Sequence, residues 1–279
     1  MGKIAGVVGW PVAQSLSPVI HNFWLRHHKL DGVYVALPIA PENFIRCVSA
    51  LPFMGFAGVN ITVPHKQSAV ALVESLDEDA KMTRAVNLLV FEGDRIVGAN
   101  TDVHGFSESL RQSFPHGIPG VGPAVLLGAG GAARGVLLAL HKAGFQEVRI
   151  VNRTRYRAEA IAGDFASTLH CRILNWGDWE TAFVGARLLV NTTSLGMTGK
   201  PGLDISLDAL PREAVVADIV YDPVKTALLR AAESAGHPVV DGLGMLMHQA
   251  VPAFAAWFGV KPMVTPELRA LLVERSGRA

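Results

Sequence analysis

Short apolar runs alternate along this chain with segments whose apolar residues recur every three to four positions. The runs predict strands at Ile4–Val8, Val33–Leu37, Gly58–Thr62, Ala85–Phe91 and Ile96–Gly98. The helical spacing falls at Pro18–His28, Pro41–Leu51 and Lys66–Ser75, and a further helix begins near Asp102. A polar hairpin, Glu92-Gly93-Asp94-Arg95, joins two of the strands. The pattern breaks at Gly117-Ile118-Pro119-Gly120-Val121-Gly122-Pro123, which predicts a loop near a domain junction. Beyond it, strands are predicted at Ala124–Leu127, Val148–Val151, Arg187–Asn191, Val215–Ile219 and His237–Val240. Helices follow at Arg134–Lys142, Met245–Phe258 and Pro266–Glu274. Strands alternating with helices predict an α/β fold with mostly parallel sheets.

One βαβ unit carries chemistry. The strand Val125-Leu126-Leu127 runs into Gly128-Ala129-Gly130-Gly131-Ala132-Ala133, a Gly-x-Gly-x-x-Ala turn that opens a helix. Small residues there let the backbone approach a pyrophosphate, and the helix start offers it free N–H groups. A tight strand-to-helix turn without a ligand reads the same way, so the turn needs its context. At the end of the next strand, an NAD site usually carries a carboxylate for the ribose 2′-hydroxyl. Here that neighbourhood is Asn152, Arg153, Thr154, Arg155 and Arg157. Guanidinium groups bind a 2′-phosphate, and positive charge at a helix start otherwise opposes the macrodipole. The pattern predicts NADP and hydride transfer.

Composition narrows the picture. With 279 residues, half of them hydrophobic, the chain builds a large core in one or two domains. A formal net charge of +1 gives no basic surface for nucleic acid. The two cysteines, Cys47 and Cys171, lack metal-ligand spacing and are expected as buried apolar residues in a reducing cytoplasm. The apolar stretch after Met1 is short and interrupted by Pro11, unlike a signal peptide. No run approaches the about 18 apolar residues of a membrane span. The scattered histidines are expected as surface or core polar residues, with no metal site.

Three polar clusters remain. Asn60-Ile61-Thr62-Val63-Pro64-His65-Lys66 ends a strand, where α/β proteins gather ligand-binding side chains. Lys66 is expected at a helix N-terminus, which would press its pKa down and suit proton transfer; a solvated turn lysine is the other reading. Asn100-Thr101-Asp102 reads as a helix N-cap, as a partner for Lys66, or as both. Ser15-Leu16-Ser17-Pro18 combines an N-cap signal at Ser17 with two hydroxyls suited to a carboxylate.

Taken in order, these segments resemble the shikimate dehydrogenase family. The resemblance runs through Gly9-Trp10-Pro11-Val12-Ala13-Gln14-Ser15-Leu16-Ser17-Pro18, the Asn60–Lys66 and Ala85-Val86-Asn87 segments, Asn100–Phe106, the glycine turn and Asn152-Arg153-Thr154. It continues through Asn191-Thr192-Thr193-Ser194-Leu195-Gly196-Met197, Asp218-Ile219-Val220-Tyr221-Asp222-Pro223 and Asp241-Gly242-Leu243-Gly244-Met245-Leu246 with Gln249, so it spans nearly the whole chain. It implies a substrate domain at residues 1–104 with 243–279 and a Rossmann-type NADP domain at 105–242, the last helices returning to the first domain. The implied reaction is reversible reduction of 3-dehydroshikimate to shikimate with NADPH in aromatic amino-acid biosynthesis.

The resemblance also implies roles. Lys66 is the acid–base residue with Asp102 as partner. Ser15 and Ser17, helped by Tyr221, hold the substrate carboxylate, while Thr62, Asn87, Asp102 and Gln249 bind ring hydroxyls. Gly128, Ala129, Gly130, Gly131 and Ala132 meet the pyrophosphate. Asn152, Arg153, Thr154 and Arg157 meet the 2′-phosphate, and Ile219, Gly242 and Met245 lie near the nicotinamide. The family often has Gly-Ala-Val-Asn-Thr where this chain has Arg84-Ala85-Val86-Asn87-Leu88, which puts the geometry of that turn in question. The expected partner is a small molecule, with no nucleic acid or membrane; a homodimer stays open. The alternatives are a quinate-using paralogue and a non-catalytic NADP or shikimate binder; Ser17 and Arg153 speak against the first, and the Lys66–Asp102 pair against the second.

Overall fold

In a computed structural model the apolar runs assemble into two six-stranded sheets, one in each of two units. The structure describes residues 2–93 and 95–276; Met1 and Asp94, the latter in the expected 92–95 hairpin, lie outside the described residues. The first unit is Met1–His104 with Met247–Ala279, and the second is Gly105–Leu246. Sequence reasoning put the second junction at 243, before the last long helix; the division falls inside that helix.

The first unit contains β1 (Lys3–Gly9), α1 (Ser17–His27), β2 (Gly32–Pro38), α2 (Phe44–Ala50), β3 (Phe56–Ile61), β4 (Ser75–Leu76), α3 (Glu78–Thr83), β5 (Leu88–Glu92) and β6 (Arg95–Ala99). The sheet order is β2-β1-β3-β5-β6-β4. β1 lies parallel to β2 and β3, whereas β5 runs antiparallel to β3 and β6. Val8, Phe44, Val59, Ile61 and Leu89 form part of its core.

The predicted helix at Lys66–Ser75 is replaced by a turn, a 3₁₀ segment at Ser68–Leu72 and the short strand β4. The cause is non-local. The Glu74 N–H donates to Ile96 and the Asp77 N–H to Gly98, so this stretch satisfies its backbone along β6. Its apolar residues Ala69, Val70, Leu72, Val73 and Leu76 reach the core in that form. Asp77 then caps α3 by accepting from the Ala80 N–H at 2.6 Å.

α4 (Asp102–Ser113) leads to β7 (Ala124–Leu127), α5 (Gly131–Lys142), β8 (Glu147–Val151), α6 (Arg155–Asp164), β9 (His170–Leu174), α7 (Trp179–Phe183), β10 (Leu188–Asn191), β11 (Val215–Asp218), α8 (Ala227–Ser234) and β12 (Val239–Val240). Here the sheet is wholly parallel, in the order β12-β11-β10-β7-β8-β9. That is the doubly wound dinucleotide-binding order, whose strand direction of growth reverses between β7 and β10. Helices cover both faces of such a sheet, which is why β7, β10 and β11 are buried at every position. α9 (Gly242–Phe258) and α10 (Pro266–Arg275) complete the chain. Among the described residues no helix is long and apolar enough to cross a membrane. Cys47 and Cys171 are unpaired and half-buried, less enclosed than expected.

Candidate active site

Lys66 lies in the turn after β3, so the helix dipole invoked for it from sequence is absent. What positions it is a carboxylate. Lys66 Nζ donates to Asp102 Oδ2 at 2.6 Å, with the two side chains 11% and 4% exposed. Among the described residues Asp102 is its side-chain partner, leaving two ammonium N–H groups for a ligand. Asp102 opens α4, where the macrodipole favours a carboxylate, and its own N–H donates to Asn100 Oδ1 at 3.0 Å. The carbonyl of Lys66 accepts from the Val86 N–H at 2.8 Å, tying the turn to the residue before Asn87.

Asn87 is the hub. Its amide nitrogen shares two hydrogens among three acceptors, Asp102 Oδ1 at 2.8 Å, Thr101 Oγ1 at 3.0 Å and Gln249 Oε1 at 3.2 Å. Its Oδ1 accepts from the Thr101 N–H at 2.7 Å. Lys66, Asn87, Asp102 and Gln249 therefore lie in one network, and Thr101, expected only as a cap, joins them. Asn60 supports the group from below by donating to the Asn87 carbonyl at 3.0 Å. Thr62 ends the same strand segment, its methyl against Gly9. Ser17 is the first residue of α1, with Leu16 at the cap position; its N–H donates to Ser15 Oγ at 3.3 Å, so Ser15 takes the capping part expected of Ser17.

The second unit sets its predicted residues along one sheet edge. Val151, Leu127, Asn191 and Asp218 form a register row that ends β8, β7, β10 and β11. Asn152, Gly128, Thr192 and Ile219 each follow one of these residues, on the strand ends where α/β sheets bind ligands. Gly128 has φ +106°, and a Cβ there would meet Thr192 Oγ1 at 2.9 Å and Thr193 Cγ2 at 3.0 Å. Gly130 is the cap residue of α5 and offers no side-chain bond to the first N–H groups of the helix, and a Cβ added at Gly130 would meet nothing within 4 Å. Gly242 lets the first turn of α9 lie on the chain after β11, because a Cβ would come within 2.5 Å of the Ile219 and Val220 carbonyls. Met245 is buried in the same turn region, and Tyr221 is half-buried after β11.

α6 begins at Arg155 with no acidic residue in its first turn and no side-chain cap from Thr154. Arg155 is paired with Glu159, whereas Arg153 and Arg157 are exposed with no ion pair among the described residues. Asn152 Nδ2 donates to the Thr154 carbonyl at 2.7 Å and holds this turn in shape. The result is a helix N-terminus flanked by two free guanidinium groups, a site fitted to a phosphate. Gly128, the uncapped start of α5 and these arginines together fit a dinucleotide carrying an additional phosphate.

A profile of the shikimate dehydrogenase substrate binding domain matches residues 7–89, and one of shikimate / quinate 5-dehydrogenase matches residues 121–194. A shikimate dehydrogenase (NADP(+)) of Paramagnetospirillum magneticum is 50% identical over 272 residues, covering 97% of this chain and 98% of that protein. This chain belongs to the shikimate dehydrogenase family. Shikimate 5-dehydrogenase from Thermus thermophilus, solved with NADP(H) and shikimate, is similar at 36% identity and TM-score 0.86 over 98% of this chain and 99% of that one. Quinate dehydrogenase from Corynebacterium glutamicum, solved with NAD, is similar at 28% identity and TM-score 0.87 over 98% of each chain.

Against the shikimate dehydrogenase pattern, the Arg84 departure has a visible consequence. Arg84 caps α3 at φ 48°, ψ 39°, the left-handed region that a glycine enters freely. The turn nevertheless delivers Asn87 to its partners, and Leu88 is buried as the first residue of β5. The sequence signal for Thr101, Asn60 and Asp218 was their polarity beside otherwise apolar strand ends. Asp218 is 2% exposed; burial pushes its carboxyl up to about 6, against hydrogen bonds from the Val220 N–H, Thr226 and Asn191. A raised folded pKa stabilises most below the unfolded value of 3.8, and that stability is lost as pH rises through about 6, by about 3 kcal/mol. Asp218→Asn is expected to remove this component from the pH dependence of the urea midpoint; identical slopes in both proteins would contradict it.

Proposed function

We propose that the chain catalyses the NADPH-dependent, reversible reduction of 3-dehydroshikimate to shikimate. The observation that carries the reading is the buried Lys66–Asp102 pair at 2.6 Å within the Asn87, Thr101 and Gln249 network. Family membership sets the substrate, since the Thermus relative was solved with shikimate and the Paramagnetospirillum relative is named for NADP(+). When bound, NADPH supplies the hydride. Lys66 Nζ gives a proton to the substrate oxygen that becomes the alcohol, and its positive charge stabilises that oxygen as negative charge develops. Asp102 Oδ2 holds the ammonium in place, and Asp102, Asn87, Thr62 and Gln249 orient the ring hydroxyls. Ser15 and Ser17, with Tyr221, bind the carboxylate.

For the cofactor, Gly128 to Ala132 cradle the pyrophosphate, and Ile219, Gly242 and Met245 border the nicotinamide. Asn152, Arg153, Thr154 and Arg157 bind the 2′-phosphate. Two unpaired cysteines suit a cytoplasmic enzyme. The quinate and NAD reading is disfavoured by Ser17 and by the unpaired Arg153.

The cofactor assignment has a direct test. The wild type is expected to prefer NADP over NAD by at least about tenfold in kcat/KM, the equivalent of one or two charge-assisted bonds. Arg153→Ala is expected to erase most of that preference through a higher KM for NADP. Equal kcat/KM for the two cofactors in the wild type would sink the assignment.

A further inference from the structure

Tyr34 lies in β2 with its side chain buried, and no role in substrate handling is assigned to it by the reading above. Its surroundings are unusually specified. Asn22 on α1 clamps its backbone from both sides, donating to the Tyr34 carbonyl at 2.8 Å and accepting from the Tyr34 N–H at 3.0 Å. Ser17 and His21 lie four residues apart on α1 and so share one face. His21 stacks flat on the Tyr34 ring, with centroids 4.0 Å apart and 3° between planes. The Tyr34 hydroxyl has a single hydrogen and donates it to Asn60 Oδ1 at 2.7 Å. Asn60 passes its own amide hydrogen to the Asn87 carbonyl at 3.0 Å.

The phenol thus reaches, through Asn60, the backbone of Asn87, the residue placed among the ring hydroxyls. We propose that Tyr34 is a positioning residue for shikimate, fixing the Asn60–Asn87 pair through its buried hydroxyl. The proposal rests on the shikimate reading of the same site. Its physical basis is that short polar side chains hold one rotamer in a buried network only while every member is satisfied. The ring stack and the backbone clamp keep the phenol from turning, so the hydroxyl direction is set before substrate arrives.

Tyr34→Phe removes the oxygen and keeps the ring. It is expected to raise KM for shikimate about tenfold, with kcat changed less than about threefold and KM for NADP unchanged. General loosening of the fold would not give that split. In an Asn60→Ala background, Tyr34→Phe is expected to add less than about twofold to KM, because the two changes act on one contact. Asn60→Ala approaches the same oxygen from the other side and is expected to raise KM similarly, which keeps the test open if Tyr34→Phe fails to fold. A wild-type KM in both single variants, or full additivity of Tyr34→Phe with Asn60→Ala, overturns the proposal while leaving the shikimate reading in place. A wild type without shikimate turnover overturns that reading and this proposal with it.

Discussion

Lys66→Ala is expected to lower kcat by about 10²- to 10⁴-fold, the usual contribution of a positioned acid–base group. KM for NADP should stay near its wild-type value, since the proposed phosphate contacts belong to Gly128 to Ala132 and the 152–157 segment. The substitution leaves Asp102 as a buried carboxylate, 4% exposed, without its cation. Breaking such a pair commonly costs about 3–5 kcal/mol, softened here by the Asn87 amide that donates to Oδ1 at 2.8 Å. Lys66→Gln retains a donor toward Asp102 but carries no transferable proton, so it should fold better and be nearly as inactive. Stopped-flow or steady-state rates for both variants, alongside thermal unfolding, separate chemistry from stability. Rates within about tenfold of wild type in folded Lys66→Gln would remove Lys66 from the acid–base role.

Acid is expected to destabilise the first unit through His21. Its imidazole is fully buried among Trp24, Tyr34, Phe254 and Trp257, and neither ring nitrogen has a hydrogen-bond partner among the described residues. Burial lowers its pKa from 6.5 to about 3. Above pH 6.5 both folded and unfolded chains hold the neutral ring, and there is no effect. As pH falls below 6.5 the unfolded chain takes up a proton that the folded chain refuses, so stability is lost progressively down to about pH 3. The full loss is about 5 kcal/mol. This slope is opposite in sign to that of Asp218. His21→Phe keeps an aromatic ring against Tyr34 and is expected to abolish the slope. It should also raise stability at neutral pH by about 1–3 kcal/mol, because two unsatisfied buried nitrogens disappear. Urea midpoints of the two proteins between about pH 7 and 4 check this; parallel curves would contradict it.

Much of this was legible in the chain itself, for definable reasons. The all-parallel sheet was readable because strands buried on both faces leave unbroken apolar runs, as in Ala124–Leu127 and Leu188–Asn191. The glycine turn was readable because Gly128 occupies a conformation other residues avoid and a space a Cβ would fill. The 66–75 segment was misread because Ala69, Val70, Leu72 and Val73 suit a helix in isolation. Pairing of Ser75 with Val97 and Leu76 with Gly98, more than twenty residues away, decided the outcome. α3 went unassigned although Asp77, Glu78 and Asp79 carry an N-terminal signal. β9, α7 and α8 were also unassigned; β9 has one buried position, and the two helices are only five and eight residues long.

The candidate site divides in the same way. Lys66 and Asp102 stood out as charged residues at strand and helix ends, and the structure joins them directly. Thr101 and Asn60 showed only as polar residues beside strand ends and Tyr34 not at all, because their importance lies in hydrogen bonds to residues 14 to 27 positions distant. No local pattern records such a network.

The central claim is most directly tested by the initial rate of shikimate oxidation by purified protein with NADP, read as reduced nicotinamide absorbance, with quinate and NAD in parallel. The account predicts turnover with shikimate and NADP, falling at least about tenfold when NAD replaces NADP and further when quinate replaces shikimate. Binding of shikimate and NADP without turnover, or a preference for quinate with NAD, would contradict it.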